Sequence, residues 1–236
     1  MAARPKAWPT GQDDKPGPDG RTRTAGTGSG AGIGGGRDVS LVQEARRRRV
    51  LEAAIDLLAE VGWERTTMAA IARRAKISKG LISYHFSGKD EVLTQVVETI
   101  VSEVFLRGSE RMQPRIAAET TARGMLRAYI ESNLEFVAEH WREMRALSEI
   151  LPNLRDEEGR LRYDVTAEEP IIAATAAMLE HGQRTGEFRD FDAHAVAFSL
   201  RRAIDAAAHR LAADPTFDIA HYASEIADLY DQGCRA

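Results

Sequence analysis

Cysteine is nearly absent from this 236-residue chain: Cys234 stands alone near the C-terminus. A single thiol excludes an intrachain disulfide and a zinc site built on cysteine thiolates, and it reads as incidental. Long apolar runs are missing too. The most apolar stretch, around Ile171 to Leu179, is too short to cross a bilayer, so no membrane span is expected. The first residues lack the apolar core of a secretory signal, which makes the cytoplasm the expected compartment. None of the six histidines forms an i, i+4 pair, and there is neither an HExxH pattern nor a Glu-x-x-His pair. No metal site and no cofactor are therefore expected. Phosphate-binding glycine loops and nucleophile elbows are likewise absent, which leaves an enzyme on a helical bundle without a catalytic motif.

Lysine is scarce and unevenly placed. Three of the five, Lys76, Lys79 and Lys89, fall within fourteen residues. The net charge of −4 hides a gradient: +2 over residues 1–40, +4 over 41–90 and −10 over 91–236. Basic charge thus collects in a small N-terminal module. Residues 1–38 hold ten of the nineteen glycines and four of the eight prolines, with almost no large apolar side chains. Such a segment cannot bury enough surface to offset its ordering entropy, so a disordered tail is expected there.

From Ser40 onward the spacing turns helical. Val50, Ala54, Leu57, Leu58 and Val61 form one apolar stripe, and Gly62 supplies a C-terminal stop. Thr66 or Thr67 caps a short second helix through Met68, Ile71 and Ala72 to about Ala75. Ser78 caps a third, which ends near Phe86. Ser87 with Asp90 fits a capping box that opens a long fourth helix, 90–108. Further helices are expected over 120–139, 141–151, 161–185 with a break possible before Pro170, 191–213 and 217–232, with breaks at Pro114, Pro152 to Gly159, near Pro170, at Gly182 to Gly186 and at Asp214-Pro215. No strand period appears. The fold class is all-α: a helix-turn-helix domain over 39–90, then a helical domain over 91–236.

Two short helices joined by a tight turn, with another packed behind them, make a helix-turn-helix whose second helix fits the major groove of DNA. Here that helix is 78–86. Its exposed positions are expected at Lys79, Gly80, Ser83, Tyr84 and His85, with Leu81, Ile82 and Phe86 turned inward. Gly80 permits close approach to a sugar-phosphate backbone. Lys89, Thr66 and Thr67 could bond phosphate near helix starts. Arg46 to Arg49, Arg47 included, read either as phosphate attraction or as a solvated helix start.

The stretch RRRVLEAAIDLLAEVGWERTTMAAIARRAKISKGLISYHFSGKDEVL, residues 47–93, resembles the DNA-binding domain of the TetR family of transcriptional regulators. The most specific parts are the Gly-aromatic-x-x-Thr step at Gly62 to Met68 and the block ISKGLISYHFSGKDEVL. The resemblance implies a homodimer, a recognition helix in third place, and a pocket in the C-terminal helices where a small-molecule effector separates the two DNA heads. It places DNA contacts on Thr67, Lys79, Gly80, Ser83, Tyr84, His85 and Lys89. Many members carry tyrosine where this chain has Ser83. The implied function is that of a repressor released from a double-stranded DNA operator by its ligand; a ligand-independent or activating DNA-binding protein is the alternative.

In the C-terminal part, HGQRTGEFRDFD resembles the turn before the penultimate helix of the family. The stripe Ala193, Ala197, Leu200, Ile204, Ala207, Ala208 and Leu211 suits either close packing between subunits or an intrachain core. Met125, Tyr129, Phe136, Trp141, Met144, Met178 and Phe198 are candidate pocket-lining residues. Arg142, Glu143, Arg145 and Glu149 either line that pocket or face water.

Overall fold

A computed structural model describes residues 35–163 and 165–236, with the side chains of 35–40 and 165 outside the description. The tail expected over 1–38 lies almost wholly outside these residues. Ten α-helices follow in order: α1 Gly35–Arg65, α2 Met68–Ala75, α3 Lys79–His85, α4 Lys89–Thr99, α5 Leu106–Ala117, α6 Ala122–Glu139, α7 Trp141–Ile150, α8 Glu169–Arg184, α9 Ala193–Ala213 and α10 Ile219–Cys234. Among the described residues there are no strands, only two isolated bridges, Arg155–Leu161 and Phe188–Arg235. No described helix is long and apolar enough to cross a membrane.

The helix starts follow side-chain chemistry. Thr67, Ser78, Thr121, Asp192 and Asp218 each accept a hydrogen bond from a first-turn amide, relieving donors that have no partner within the helix. α4 departs from the expected capping box. Its cap is Gly88, and Glu91 reaches back to accept from the Ser87 amide at 2.7 Å and the Ser87 hydroxyl at 2.8 Å. The expected single helix 90–108 is instead α4, a π-helical stretch Ile100–Phe105 and α5 in continuous succession. Pro114 does not break α5 but sits inside it. The segment after α7 turns back on itself, and α8 begins at Glu169, at the break expected before Pro170, so that 161–168 does not join it.

Two cores result. Val50, Leu58, Ile71, Ile82, Phe86, Leu93 and Val96 pack in the N-terminal part, and Ala146, Leu147, Ile150 and Leu154 of α7 and its exit join them. The second core joins α6, α8, α9 and α10 through Leu126, Ile130, Leu134, Leu179, Leu200 and Ile204. Met144 packs against both. Ala193, Ala197, Leu200, Ile204, Ala207 and Ala208 are buried within this chain, so that stripe builds its own core and not a subunit contact. Cys234 is buried in the same core, and that burial pushes its thiol up.

Candidate nucleic-acid interface and effector cavity

The turn between α2 and α3 is made by Lys76, whose left-handed backbone (φ 55°) lets its amide cap the Ala72 and Arg73 carbonyls. Ser78 then starts α3 by accepting from Leu81 N–H at 3.2 Å. Ile82 and Phe86 are buried, and each contributes roughly 1.5–3 kcal/mol of burial energy that holds the helix down. The opposite face carries Lys79, Gly80, Ser83 and Tyr84, all exposed, with Tyr84 at 76%. A β-carbon on Gly80 would meet nothing within 4 Å, so its face is open. His85 is not on that face: it is half-buried, its Nε2 is enclosed without a partner, and its ring meets Tyr84 edge-on at 5.2 Å.

Three other predicted contacts are engaged inside the protein. Thr66 is fully buried and its hydroxyl donates to Gly62 O at 2.8 Å. Lys89 is half-buried; its Nζ donates to Trp63 O at 2.8 Å and lies 3.9 Å from the centre of the Trp63 ring. Desolvation there holds the ammonium below the usual lysine range, against the opposing pull of Glu64 and Asp90. Arg47 donates to Gln95 Oε1 at 2.7 Å and covers the Phe86 ring at 5.2 Å. Thr67, by contrast, is exposed while it caps α2. Arg48 and Arg49 are exposed and Arg46 is half-buried.

These bonds share one corner. At Gly62 the backbone leaves the helix (φ 77°, ψ −177°), freeing groups that need partners. Thr66 takes the Gly62 carbonyl, Lys89 the Trp63 carbonyl, and Glu149 Oε2 of α7 accepts the Trp63 amide at 2.7 Å. Arg145 pairs with the same Glu149, and Arg142 pairs with Asp56 at 3.1 Å. Glu149 and Arg142 therefore neither line the cavity nor merely face water; they clamp α7 to α1, with Arg145 holding Glu149 from within α7. Trp63 and Glu149 were not among the predicted site residues, and no local spacing joins positions 86 apart.

A cavity of about 520 Å³ lies against the π-helical stretch, α5, α6, α7, α8 and α9. Of the candidate lining residues it brings together Tyr129, Phe136, Met144 and Met178. Met125, Trp141 and Phe198 are not on its wall; Phe198 is 49% exposed, with Arg202 5.4 Å above its ring. The wall adds Val101 and Phe105 from the π-helical stretch, Asn133, Thr175 and Arg201. Arg201 went unpredicted because its neighbours on α9 read as a small-residue stripe. Among the described residues no cluster could hold a metal ion.

Fold and exposed α3 face together define a helix-turn-helix protein with a helical body. Residues 50–96 match the family described as bacterial regulatory proteins, tetR family. The HTH-type transcriptional regulator BetI of Cronobacter sakazakii is 33% identical over 105 residues, 44% of this chain and 51% of the relative. The BetI of Burkholderia ambifaria is 31% identical over 94 residues, 40% and 47% of the two chains. The match thus spans about half the length of these curated relatives. Among solved structures, the ketosteroid transcriptional regulator KstR2 of Mycobacterium tuberculosis superposes with a TM-score of 0.66 at 18% identity, over 81% of this chain and 95% of that one. A putative transcriptional regulator from Saccharomonospora viridis, solved in complex with choline, gives 0.60 at 24% identity over 82% and 99%. The likeness to the tetR family is thus carried by residues 50–96 of the N-terminal domain, and the likeness to the solved regulators is one of fold.

Proposed function

We propose that this chain is a cytoplasmic, homodimeric, sequence-specific DNA-binding repressor, released from its operator by a small molecule held in the 520 Å³ cavity. The observation that carries the reading is α3 itself, a short helix with Ile82 and Phe86 buried beneath it and Lys79, Gly80, Ser83 and Tyr84 outward. Two copies related by a two-fold axis would enter successive major grooves about 34–36 Å apart. Thr67 and the exposed arginines of α1 would add phosphate contacts, giving salt-dependent affinity.

The head, 39–90, and the body, 91–236, are proposed as functional units, with the Trp63–Glu149 bond as one link between them. The cavity supports the effector role because Val101 and Phe105 on its wall are continuous with α4, whose Lys89 is bonded to the corner of α1. A ligand favouring one setting of α4 shifts the separation of the heads by no more than its differential affinity for the two settings. The choline complex of the Saccharomonospora viridis regulator is a case of a similar fold holding a small molecule.

The test is titration of sites recovered by genome-wide footprinting, at fixed salt. Lys79→Ala and Tyr84→Ala are each expected to weaken binding by about 1–3 kcal/mol if they reach base edges, or uniformly across sequences if they reach phosphate. Unchanged affinity in both variants would remove α3 from the interface.

A further inference from the structure

Arg201 is the only Lys, Arg, His, Asp or Glu side chain on the described wall of the cavity. Its side chain is 16% exposed. Asp205, one turn along α9, lies 2.6 Å from Arg201 Nη2 but does not line the cavity and is 31% exposed. Glu168, the next carboxylate outward, is 28% exposed and is held by Arg202, which also pairs with Asp205 at 3.0 Å. The carboxylates therefore lie toward solvent, shared with a second arginine, while the guanidinium of Arg201 reaches the cavity. A guanidinium carries five N–H donors in a planar fork, and a single carboxylate does not satisfy them.

The wall that holds Arg201 also carries a polar pair: the hydroxyls of Tyr129 and Thr175 are 3.0 Å apart, and Thr175 is buried. Most of the remaining wall is apolar, with Phe105, Leu106, Met112, Ile116, Phe136 and Met178. The volume lies within the range of about 300–1,000 Å³ that encloses a small molecule.

We infer that the cavity binds an amphiphile with an apolar body and one terminal carboxylate, the carboxylate meeting Arg201 and the Tyr129 hydroxyl, which Thr175 holds by donating to its oxygen. The planar fork matches a carboxylate in two parallel hydrogen bonds. A doubly charged phosphate would need a second cation, and the described wall has none. A quaternary ammonium would face the Arg201 guanidinium, while the carboxylate that could attract it, Asp205, does not line the cavity.

This inference rests on the proposed effector cavity, and the experiment separates the two. The purified full chain is titrated with the fluorescent fatty acid cis-parinaric acid, with its methyl ester, and with alkyl phosphate and alkyltrimethylammonium competitors of matched length. The acid is expected to bind at least about tenfold more tightly than the ester or the ammonium, the scale of one charge-assisted hydrogen bond. Arg201→Gln should reduce acid affinity to that of the ester, and Arg201→Lys should restore part of the difference. Met178→Trp, which fills the cavity without touching the Arg201–Asp205 pair, should weaken every probe, with thermal melts confirming that each variant is folded. Equal binding of acid and ester by the wild type, tighter binding of the phosphate or ammonium, or no binding at all would overturn the inference. Selective carboxylate binding that leaves operator affinity unchanged would instead sink the effector role while leaving the ligand class standing.

Discussion

Thr66 and Thr67 are adjacent and chemically identical, yet one is sealed and the other exposed. Residue type suggests phosphate contact for both; the backbone path at Gly62 decides between them. The same corner explains why the glycine is needed. Its φ of 77° with ψ of −177° is a region open essentially to glycine alone, and a β-carbon would stand 3.1 Å from Glu149 Oε2. Gly62→Ala is expected to cost on the order of 1–3 kcal/mol in chemical denaturation. Glu149 gives a pH signature. Burial pushes its carboxyl up, but the Trp63 amide and Arg145 outweigh this and hold it below the usual carboxylate range. Its stabilisation is therefore complete above the unfolded value of about 4.3 and is lost as pH falls through the lower folded value. Glu149→Gln should flatten that acid limb of the stability profile; an unchanged slope would show that the Trp63 bond does not depend on ionisation.

Most of the helices are legible in the sequence because apolar spacing and capping residues act locally. Thr67, Ser78 and Asp192 start helices where their side chains reach first-turn amides. The π-helical stretch Ile100–Phe105 was not legible, since apolar side chains there satisfy a regular helical stripe equally well. Pro114 misled as well: its ring leaves the Glu110 carbonyl without the i+4 amide, yet the helix runs on only as far as Ala117 before it ends. Between elements, Gly108 of α5 lies against Phe136 of α6, where a β-carbon would come within 2.4 Å of the ring. Gly108→Ala must displace Phe136, which lines the cavity, and overpacking of this kind costs about 1–3 kcal/mol. A lower melting temperature with weakened probe binding is the expected result; weakened stability alone would show that the ring shifts away from the cavity.

At the scale of the molecule, the small-residue stripe of α9 is spent on the intrachain core, so a homodimer must use other surface. Phe198 on α9 and Leu229 on α10 are large apolar side chains left 49% and 64% exposed. With these as the proposed contact, sedimentation should give twice the 26.0 kDa chain mass. Phe198→Glu with Leu229→Glu should yield monomers with reduced operator affinity, because two half-sites are then bound separately. A double variant that stays dimeric would place the subunit contact elsewhere.

The sequence by itself determined the all-helical class, the starts of α2 and α3 and the outward Lys79–Tyr84 face, because periodicity and caps are properties of neighbouring residues. Tertiary structure alone decided that Thr66, Lys89 and Arg47 hold the head together, that α7 clamps α1 through Glu149, and that Arg201 faces a cavity. Those outcomes depend on groups far apart in the chain meeting in space, and a buried donor or charge takes whichever partner the packing brings to it.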